Sequence, residues 1–430
     1  MATLKAVRGT RDLLPPETES WNRIEATARA VFTRYNFGEI RTPVFEDTAL
    51  FARSVGEETD IVSKEMYTWE DRARAQSEKT QSLTLRPENT AGVVRAYIEH
   101  GLGESGQLQK LYYIGPQFRR ERPQKGRYRQ FWQIGAEVIG PPSSGSESPL
   151  RDAEVLEMLA TLLNELKIEG WTLELNSVGS SADREKYNDV LRAAIADVAP
   201  KMCGDCQRRA VTNPLRVLDC KVHEDQPIIE KLPKISDSLG EDSKTHFAAV
   251  LAALDAADVP YKLNQRLVRG LDYYTRTTFE FTHGGLGAQN ALLGGGRYDG
   301  LSEAIGGPKA PGIGFAIGLD RLVLTLQAQE STQAAAPAAK ADAYIAPIGE
   351  SLNAAALVLA RELRNAGLRV ELGDGGFRLK KSFEAADKIA RGMVILGEDE
   401  VRSGILTVKD FASGVQSKVP RSELAAMLAK

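Results

Sequence analysis

From 111 to 140 the chain reads as two strand-like segments, LYYIGPQFRRE and RQFWQIGAEVIG, joined by RPQKGRY; the turn-side stretch Arg119 to Arg129 carries six Lys/Arg and one Glu. Guanidinium groups keep their charge at any physiological pH and grip phosphate with paired hydrogen bonds, so such a loop suits a phosphate-bearing ligand. Successive strand residues face opposite ways, which puts Phe131, Gln133, Gly135 and Glu137 on one face and Trp132, Ile134, Ala136 and Val138 on the other. One face is apolar; the other offers an amide and a carboxylate. A half-exposed antiparallel strand with a solvated polar side gives the same alternation, and the basic loop is what favours a binding face.

Other segments hold polar or flexible residues in apolar surroundings. Leu267 to Phe281, LVRGLDYYTRTTFEF, has the β-branched and aromatic content of a strand, with Arg269 and Asp272 near its apolar start. Alone, that pair reads as a surface ion pair of little energetic weight. Further on, Gly294-Gly295-Gly296-Arg297-Tyr298-Asp299-Gly300 lets a ligand approach the backbone, a tight turn being the simpler account of the glycines. Pro311 to Leu324, PGIGFAIGLDRLVL, reads as a glycine-rich strand entering a helix that carries Arg321. Its G-x-G-x-x-x-G spacing is not a dinucleotide fingerprint, no βαβ frame precedes it, and no G-x-x-x-x-G-K-[ST] occurs. A bound nucleotide must then be held by arginines and strand backbone. In LTLRPENTAG, Glu88 and Thr90 follow a proline on a turn into a helix over 93–100; the plain readings are an exposed turn for Glu88 and a helix cap for Thr90.

The cysteines give Cys203-x2-Cys206 and then Cys220-x2-His223, a spacing compatible with tetrahedral zinc. Reduced structural thiols account for it as well, and no metal is expected there.

Positioning these residues takes more than one domain. At 430 residues, with 42% hydrophobic and 26% charged, the chain has ordinary globular composition and room for two to three domains. Its 55 Lys+Arg against 58 Asp+Glu leave a net charge of −3, which excludes bulk attraction to nucleic acid or membrane. No apolar run approaches the roughly 20 residues of a membrane span, no secretory leader is legible, and three cysteines are too few for a disulfide framework; a soluble, cytoplasmic protein is expected. Residues 327–341, QAQESTQAAAPAAKA, read as a linker. Beyond it, alternating strand and helix patterns over 342–430 predict a small α/β domain with a mostly parallel sheet. Before it, 1–326 read as α+β with antiparallel strands, and about 180–261 as a helical insertion.

Together these segments resemble the class II aminoacyl-tRNA synthetases, and among them the histidyl-tRNA synthetases. RTPVFEDTALFARSVGEETDIVSKEMY (about 40–67) is similar to motif 1, FRRERPQKGRYRQFWQIGAEVIG (within about 111–140) to motif 2 and PGIGFAIGLDRLVL (about 311–324) to motif 3. LVRGLDYYTRTTFEF and GGGRYDGL resemble the two histidine-specific signatures, and the resemblance runs from Gly9 through nearly the whole chain. It departs at Asn89, where many members have Gly, and at Trp132, where many have His.

The resemblance implies a six-stranded antiparallel sheet flanked by helices, a homodimer formed partly through motif 1, and a C-terminal anticodon-binding domain. It implies that L-histidine and ATP, with Mg2+, give histidyl-adenylate and pyrophosphate, and that the histidyl group then passes to tRNA(His). Arg119 and Arg269 are the implied catalytic residues at the α-phosphate; Glu121, Arg127 and Arg321 join them on ATP. Glu88 and Thr90 are implied at the α-ammonium with Gln133 assisting, Glu137 and Tyr274 at the imidazole, and Tyr273 in the pocket wall. Pro123, Gln124 and Lys125 are assigned to the tRNA acceptor end. The same resemblance implies no metal at Cys203, Cys206, Cys220 and His223, with zinc the alternative; a pocket built to hydrogen-bond a polar side chain rejects analogues lacking it, which predicts no editing domain. Two other functions stay open: a catalytically silent histidine-sensing regulatory subunit of ATP phosphoribosyltransferase, and an RNA-binding module without ligase activity. Against strong electrostatic binding by the C-terminal domain stand its 13 Lys/Arg and 12 Asp/Glu, leaving shape, exposed bases and the Arg378, Lys380, Lys381 cluster to recognise RNA.

Overall fold

The computed structural model describes residues 3–429 other than 57, 58, 60, 72–79, 125, 269, 270, 272, 287–289 and 331–339. The chain divides into two compact units, Met1–Ala334 and Ala335–Lys430.

The first unit is built on an eight-stranded sheet: β1 (Gly38–Glu39), β2 (Gln109–Phe118), β3 (Gln130–Ile139), β4 (Trp171–Ser177), β5 (Tyr261–Leu263), β6 (Thr275–His283), β7 (Ala291–Arg297) and β8 (Gly312–Gly318). Their order across the sheet is β1-β2-β3-β8-β7-β6-β4-β5. The six central strands pair antiparallel, and the short edge strands β1 and β5 pair parallel to β2 and β4. The expected six strands are therefore the middle of a wider sheet. Two- and three-residue edge strands carry too few residues for alternation to be read.

One side of this sheet is the apolar face seen in the β3 alternation. Ile134, Ala136 and Val138 are buried there against helices Glu17–Arg34 and Pro149–Glu165. The first of these helices buries Trp21, Ile24, Ala28, Val31 and Phe32, a stripe at helical spacing, and each large apolar side chain so buried contributes about 1.5–3 kcal/mol. The opposite side carries Gln133 and Glu137, both buried, so it is not a solvated outer face.

Two strand expectations change. Among the described residues of Leu267–Phe281, the strand begins at Thr275, the first residue of β6. Gly294 to Gly296 lie inside β7 and not in a turn. The glycines serve close packing: a β-carbon on Gly295 would run into the carbonyl of Gly314 and the ring of Phe279.

Helices Ser181–Ala196, Gly204–Thr212, Gln226–Ile229 and Glu241–Ala256 fill the stretch between β4 and β5. Tyr187, Leu191, Ile195, Cys206, Val217 and Ile235 form a separate small core there. In the motif 1 region a three-stranded antiparallel sheet pairs Gln81–Leu85 with both Phe45–Asp47 and Tyr67–Asp71. Of the expected linker, 327–330 continue helix Leu319–Glu330, consistent with the good helix propensity of Gln, Ala and Glu, and 331–339 lie outside the described residues.

The second unit has a five-stranded sheet of β9 (Ala341–Pro347), β10 (Val370–Leu372), β11 (Ala390–Leu396), β12 (Ile405–Asp410) and β13 (Gln416–Pro420), in the order β10-β9-β11-β12-β13. Helix Asn353–Asn365, ended by Gly367 at φ +86, and helix Leu379–Ile389 are the crossovers of its parallel half. The sheet is mixed and not mostly parallel: β12 and β13 form an antiparallel hairpin. Among the described residues no helix is long and apolar enough to cross a membrane.

Candidate active site

Strands β3, β8 and β7 form the floor of a cleft of about 830 Å³ in the first unit, a size that suits a small-molecule ligand. Glycine shapes this floor. Gly294, Gly314 and Gly318 line the cleft. A β-carbon on Gly314 would overlap the Glu137 carboxylate, and one on Gly296 would come within 2.8 Å of the Tyr274 ring.

At the closed end, Glu137 is fully buried; its Oε1 accepts a hydrogen bond of 2.7 Å from Thr90 Oγ1 and its Oε2 one of 2.6 Å from Tyr298 Oη. Burial pushes the Glu137 carboxyl up to about 8, against the opposing pull of the two hydroxyl donors; nearby Glu88 adds to the rise. Glu88 is buried, not exposed on a turn. Its oxygens accept from the backbone N–H of Thr90 at 2.7 Å and of Ala91 at 3.0 Å, so it caps helix Thr90–Glu99, the role expected of Thr90. Burial raises the Glu88 carboxyl as well, and those two amide donors work against the rise. Asn89 starts the helix and accepts from Thr42 Oγ1 at 2.7 Å. Gln133 lines the cleft with a buried Oε1 that has no donor among the described residues, an acceptor open to a ligand N–H. Tyr273 packs against Tyr274 at 4.7 Å and Tyr298 at 5.9 Å between ring centroids, closing the aromatic wall.

The other end is basic. Arg119 donates from Nε to the Pro87 carbonyl at 2.9 Å and lies 5.3 Å from the Phe131 ring centroid, two contacts that hold the guanidinium at this end of the cleft. Glu121 pairs with Arg127 at 3.2 Å and stands 3.9 Å from Arg119. Arg321, from helix Leu319–Glu330, donates to the Ala291 carbonyl of β7 at 2.6 Å. All four side chains line the cleft. The loop tip closes where Gln124 and Arg127 exchange backbone hydrogen bonds of 3.1 and 2.9 Å around Gly126 at φ +76. Arg269 and Lys125 lie outside the described residues.

The cleft thus joins an enclosed carboxylate-bearing pocket to an arginine-lined mouth on an antiparallel sheet. The histidyl-tRNA synthetase family model matches residues 9–322, and an anticodon-binding domain model matches 342–430. The chain belongs to the histidyl-tRNA synthetase family. It is 72% identical over 423 residues to the histidine–tRNA ligase of Koribacter versatilis, covering 98% of this chain and 95% of that one. Identity to the histidine–tRNA ligase of Solibacter usitatus is 55%, covering 99% of both. The crystal structure of apo Staphylococcus aureus histidyl-tRNA synthetase superposes with a TM-score of 0.79 at 36% identity over the whole of both chains. Against the Nostoc histidyl-tRNA synthetase structure the TM-score is 0.72 at 22% identity, a likeness of fold.

Within this histidyl-tRNA synthetase framework several residues escaped the sequence reading. Tyr298, in GGGRYDGL, turns inward onto Glu137, which a glycine run that predicts a turn gives no reason to expect. Tyr113 lines the pocket with a buried hydroxyl that has no hydrogen-bond partner among the described residues. Arg297, in the same signature, is fully buried and turned away from the cleft onto Asp152, with further bonds to the Ser146 carbonyl at 2.9 Å and Asp299 at 3.1 Å. The cysteine cluster also needs correcting. Cys203, Cys206 and Cys220 converge with Asp225 and not with His223, their ligand atoms all within 4.8 Å of one another. The turn His223–Asp225 is a 3-10 helix, which rotates successive side chains by about 120°, leaving His223 exposed and Asp225 buried.

Proposed function

We infer that this protein is a histidine–tRNA ligase: it activates L-histidine with ATP to histidyl-adenylate, releasing pyrophosphate, and transfers the histidyl group to the 3′ end of tRNA(His). Its identities of 72% and 55% to histidine–tRNA ligases over nearly the full chain favour this over the regulatory-subunit reading. The resemblance in fold to a Bacillus halodurans protein described as an ATP phosphoribosyltransferase regulatory subunit/histidyl-tRNA synthetase is at 19% identity.

The observation that carries the site assignment is the buried Glu137 carboxylate, held by Thr90 and Tyr298 at the closed end of a cleft whose other end is lined by Arg119, Arg127 and Arg321. Glu137 receives the imidazole N–H, with Tyr274 as its neighbour. Gln133 and Glu88 face the α-ammonium, each offering an acceptor lone pair. A pocket of this kind rejects side chains lacking the imidazole because its buried polar groups would be left unpaired. In the first step a carboxylate oxygen of histidine attacks the α-phosphorus and pyrophosphate leaves. Two anions approach, so fixed positive charge lowers the barrier. Arg119, held by Pro87 and Phe131, and Arg269 supply it; Arg127, Glu121 and Arg321 hold the rest of ATP. Mg2+ arrives on the phosphates, and the cleft carboxylates Glu121 and Glu280 suit its preference for oxygen ligands. In the second step a hydroxyl of the terminal tRNA ribose attacks the activated carbonyl and AMP leaves.

The domain reading assigns 1–326 to catalysis and 342–430 to the anticodon, with Gln124 and Lys125 at the acceptor end. A homodimer through the motif 1 region is supported by an exposed apolar patch on the small sheet, where Phe45 and Trp69 are 48% and 39% exposed and their rings meet at 6.0 Å. The cytoplasm is the proposed compartment, in keeping with three free cysteines. Histidine-dependent ATP–pyrophosphate exchange tests the whole reading. Exchange with histidine alone among the amino acids is expected. Histidine binding without exchange would favour the regulatory subunit.

A further inference from the structure

We propose that Cys203, Cys206, Cys220 and Asp225 bind one thiophilic divalent cation, zinc foremost, which pins the segment 203–225 at the rim of the catalytic cleft. This inference stands independently of the ligase reading.

The four groups come from three separate local structures. Cys203 precedes helix Gly204–Thr212, Cys206 lies in its first turn, Cys220 follows the 3-10 turn Pro214–Val217, and Asp225 ends the turn His223–Asp225. Ligand atoms of all four lie within 4.8 Å of one another, and Cys206, Cys220 and Asp225 are buried. With zinc–sulfur bonds of about 2.3 Å, tetrahedral geometry separates two sulfurs by about 3.8 Å. Cys203 Sγ and Cys220 Sγ are 3.9 Å apart, and Cys220 Sγ is 3.2 Å from Asp225 Oδ2, so a cation fits with little movement. A disulfide needs about 2.05 Å and leaves the third sulfur over.

The surroundings are those of an oriented ligand set. The backbone N–H of Cys203 donates to both Asp225 oxygens, at 3.1 and 3.2 Å, which fixes the carboxylate. The backbone N–H of Val222 donates to Cys220 Sγ at 3.4 Å, a contact that favours thiolate. Partners of this kind hold first ligands in place. Three soft sulfurs with one carboxylate select zinc over magnesium or calcium, and four protein ligands leave no open position, so the site is structural and not catalytic.

Its consequence reaches the cleft. Between Cys206 and Asp225 the chain carries Arg209, Arg216 and Lys221, all on the cleft wall. The cation therefore sets where these positive side chains stand. They also offset the negative charge of three thiolates and a carboxylate around a divalent ion.

The test is elemental analysis of full-length protein purified without chelator, followed by cobalt exchange. About one zinc per chain is expected, with cobalt giving thiolate charge-transfer bands and tetrahedral d–d absorption. Cys206→Ser should abolish metal binding, and Asp225→Asn should lose zinc to a chelator at least ten-fold faster than the parent. If Cys206→Ser does not fold, Asp225→Cys decides: a fourth thiolate should strengthen the charge-transfer band, and an unchanged cobalt spectrum overturns the site. Metal-free protein with three freely titratable thiols overturns it too, as does a Cys203–Cys220 disulfide.

Discussion

Glu137 on β3 is the cross-strand partner of Gly314 on β8, and its Oε2 occupies the space into which a β-carbon on residue 314 would project. The carboxylate proposed to receive the imidazole is thus placed by a glycine in another motif, on the neighbouring strand of the sheet. Gly314→Ala should displace Glu137 and lower kcat/KM for histidine by roughly 10²-fold or more, as loss of a buried polar contact to substrate does. The KM for ATP should change little. Pyrophosphate-exchange kinetics measure both, and an alanine variant with parental histidine kinetics would refute the packing argument.

Glu137→Gln should raise the KM for histidine far more than that for ATP. It should also alter stability in a pH-dependent way. The carboxyl sits near 4.5 in a free chain and is raised to about 8 in the fold by burial, so between these values the folded state holds a proton that the unfolded state has released. Its stabilising contribution is complete below about 4.5 and is lost as pH rises through 8. The ligand-free parent should therefore lose thermal stability relative to the glutamine variant between pH 5 and pH 9. Parallel melting-temperature curves over that range would contradict the assignment.

Tyr298→Phe removes the 2.6 Å hydrogen bond that favours the charged carboxylate. Glu137 should then rise further, and the pH at which histidine affinity reaches half its maximum should move upward, with about a ten-fold weaker affinity near neutrality. Calorimetric titration with histidine across pH checks this; an unmoved midpoint would mean that Tyr298 is packing alone.

Arg119→Lys keeps the charge but loses the donation to Pro87 and the guanidinium contact with the Phe131 ring. The turnover for adenylate formation should fall by about 10²–10³-fold, the scale for losing one preorganised donor at developing charge. Affinity for histidine measured without ATP should be unchanged. Single-turnover adenylate formation beside equilibrium binding separates the two.

Arg297→Met leaves Asp152 buried without its guanidinium partner and should destabilise the fold by about 3–5 kcal/mol. Adding Asp152→Leu removes the stranded charge and should restore most of the loss. Denaturant midpoints of the single and double variants are the measurement, and additive losses would show that the pair is not the cause.

Period-two alternation separated Gln133 and Glu137 from the apolar residues of β3, because it depends only on backbone geometry. It could not tell a polar face in water from one buried under Glu88, Tyr113 and Tyr298, since those covers come from segments up to 161 residues away, as the Tyr298 to Glu137 bond shows. The same limit hid the buried pairing of Arg297 with Asp152, which are 145 residues apart. Local chemistry failed in a different way at Asp225, where a familiar Cys-x2-His spacing drew attention to His223 and the phase of one short helix turned the neighbouring carboxylate inward instead. The β12–β13 hairpin was missed because the alternating βα pattern ahead of it predicts continuation in parallel.

The glycines that line the floor, Gly294, Gly314 and Gly318, leave it without side chains of its own. Substrate scope is consequently asymmetric to engineering. A side chain added at the floor can shrink the site toward smaller amino acids, whereas Gly294 and Gly314 already carry none, so no truncation of the floor at these positions remains to admit a larger one. Any broadening has to come from the aromatic wall of Tyr273, Tyr274 and Tyr298, the side of the pocket made of side chains that can be cut back.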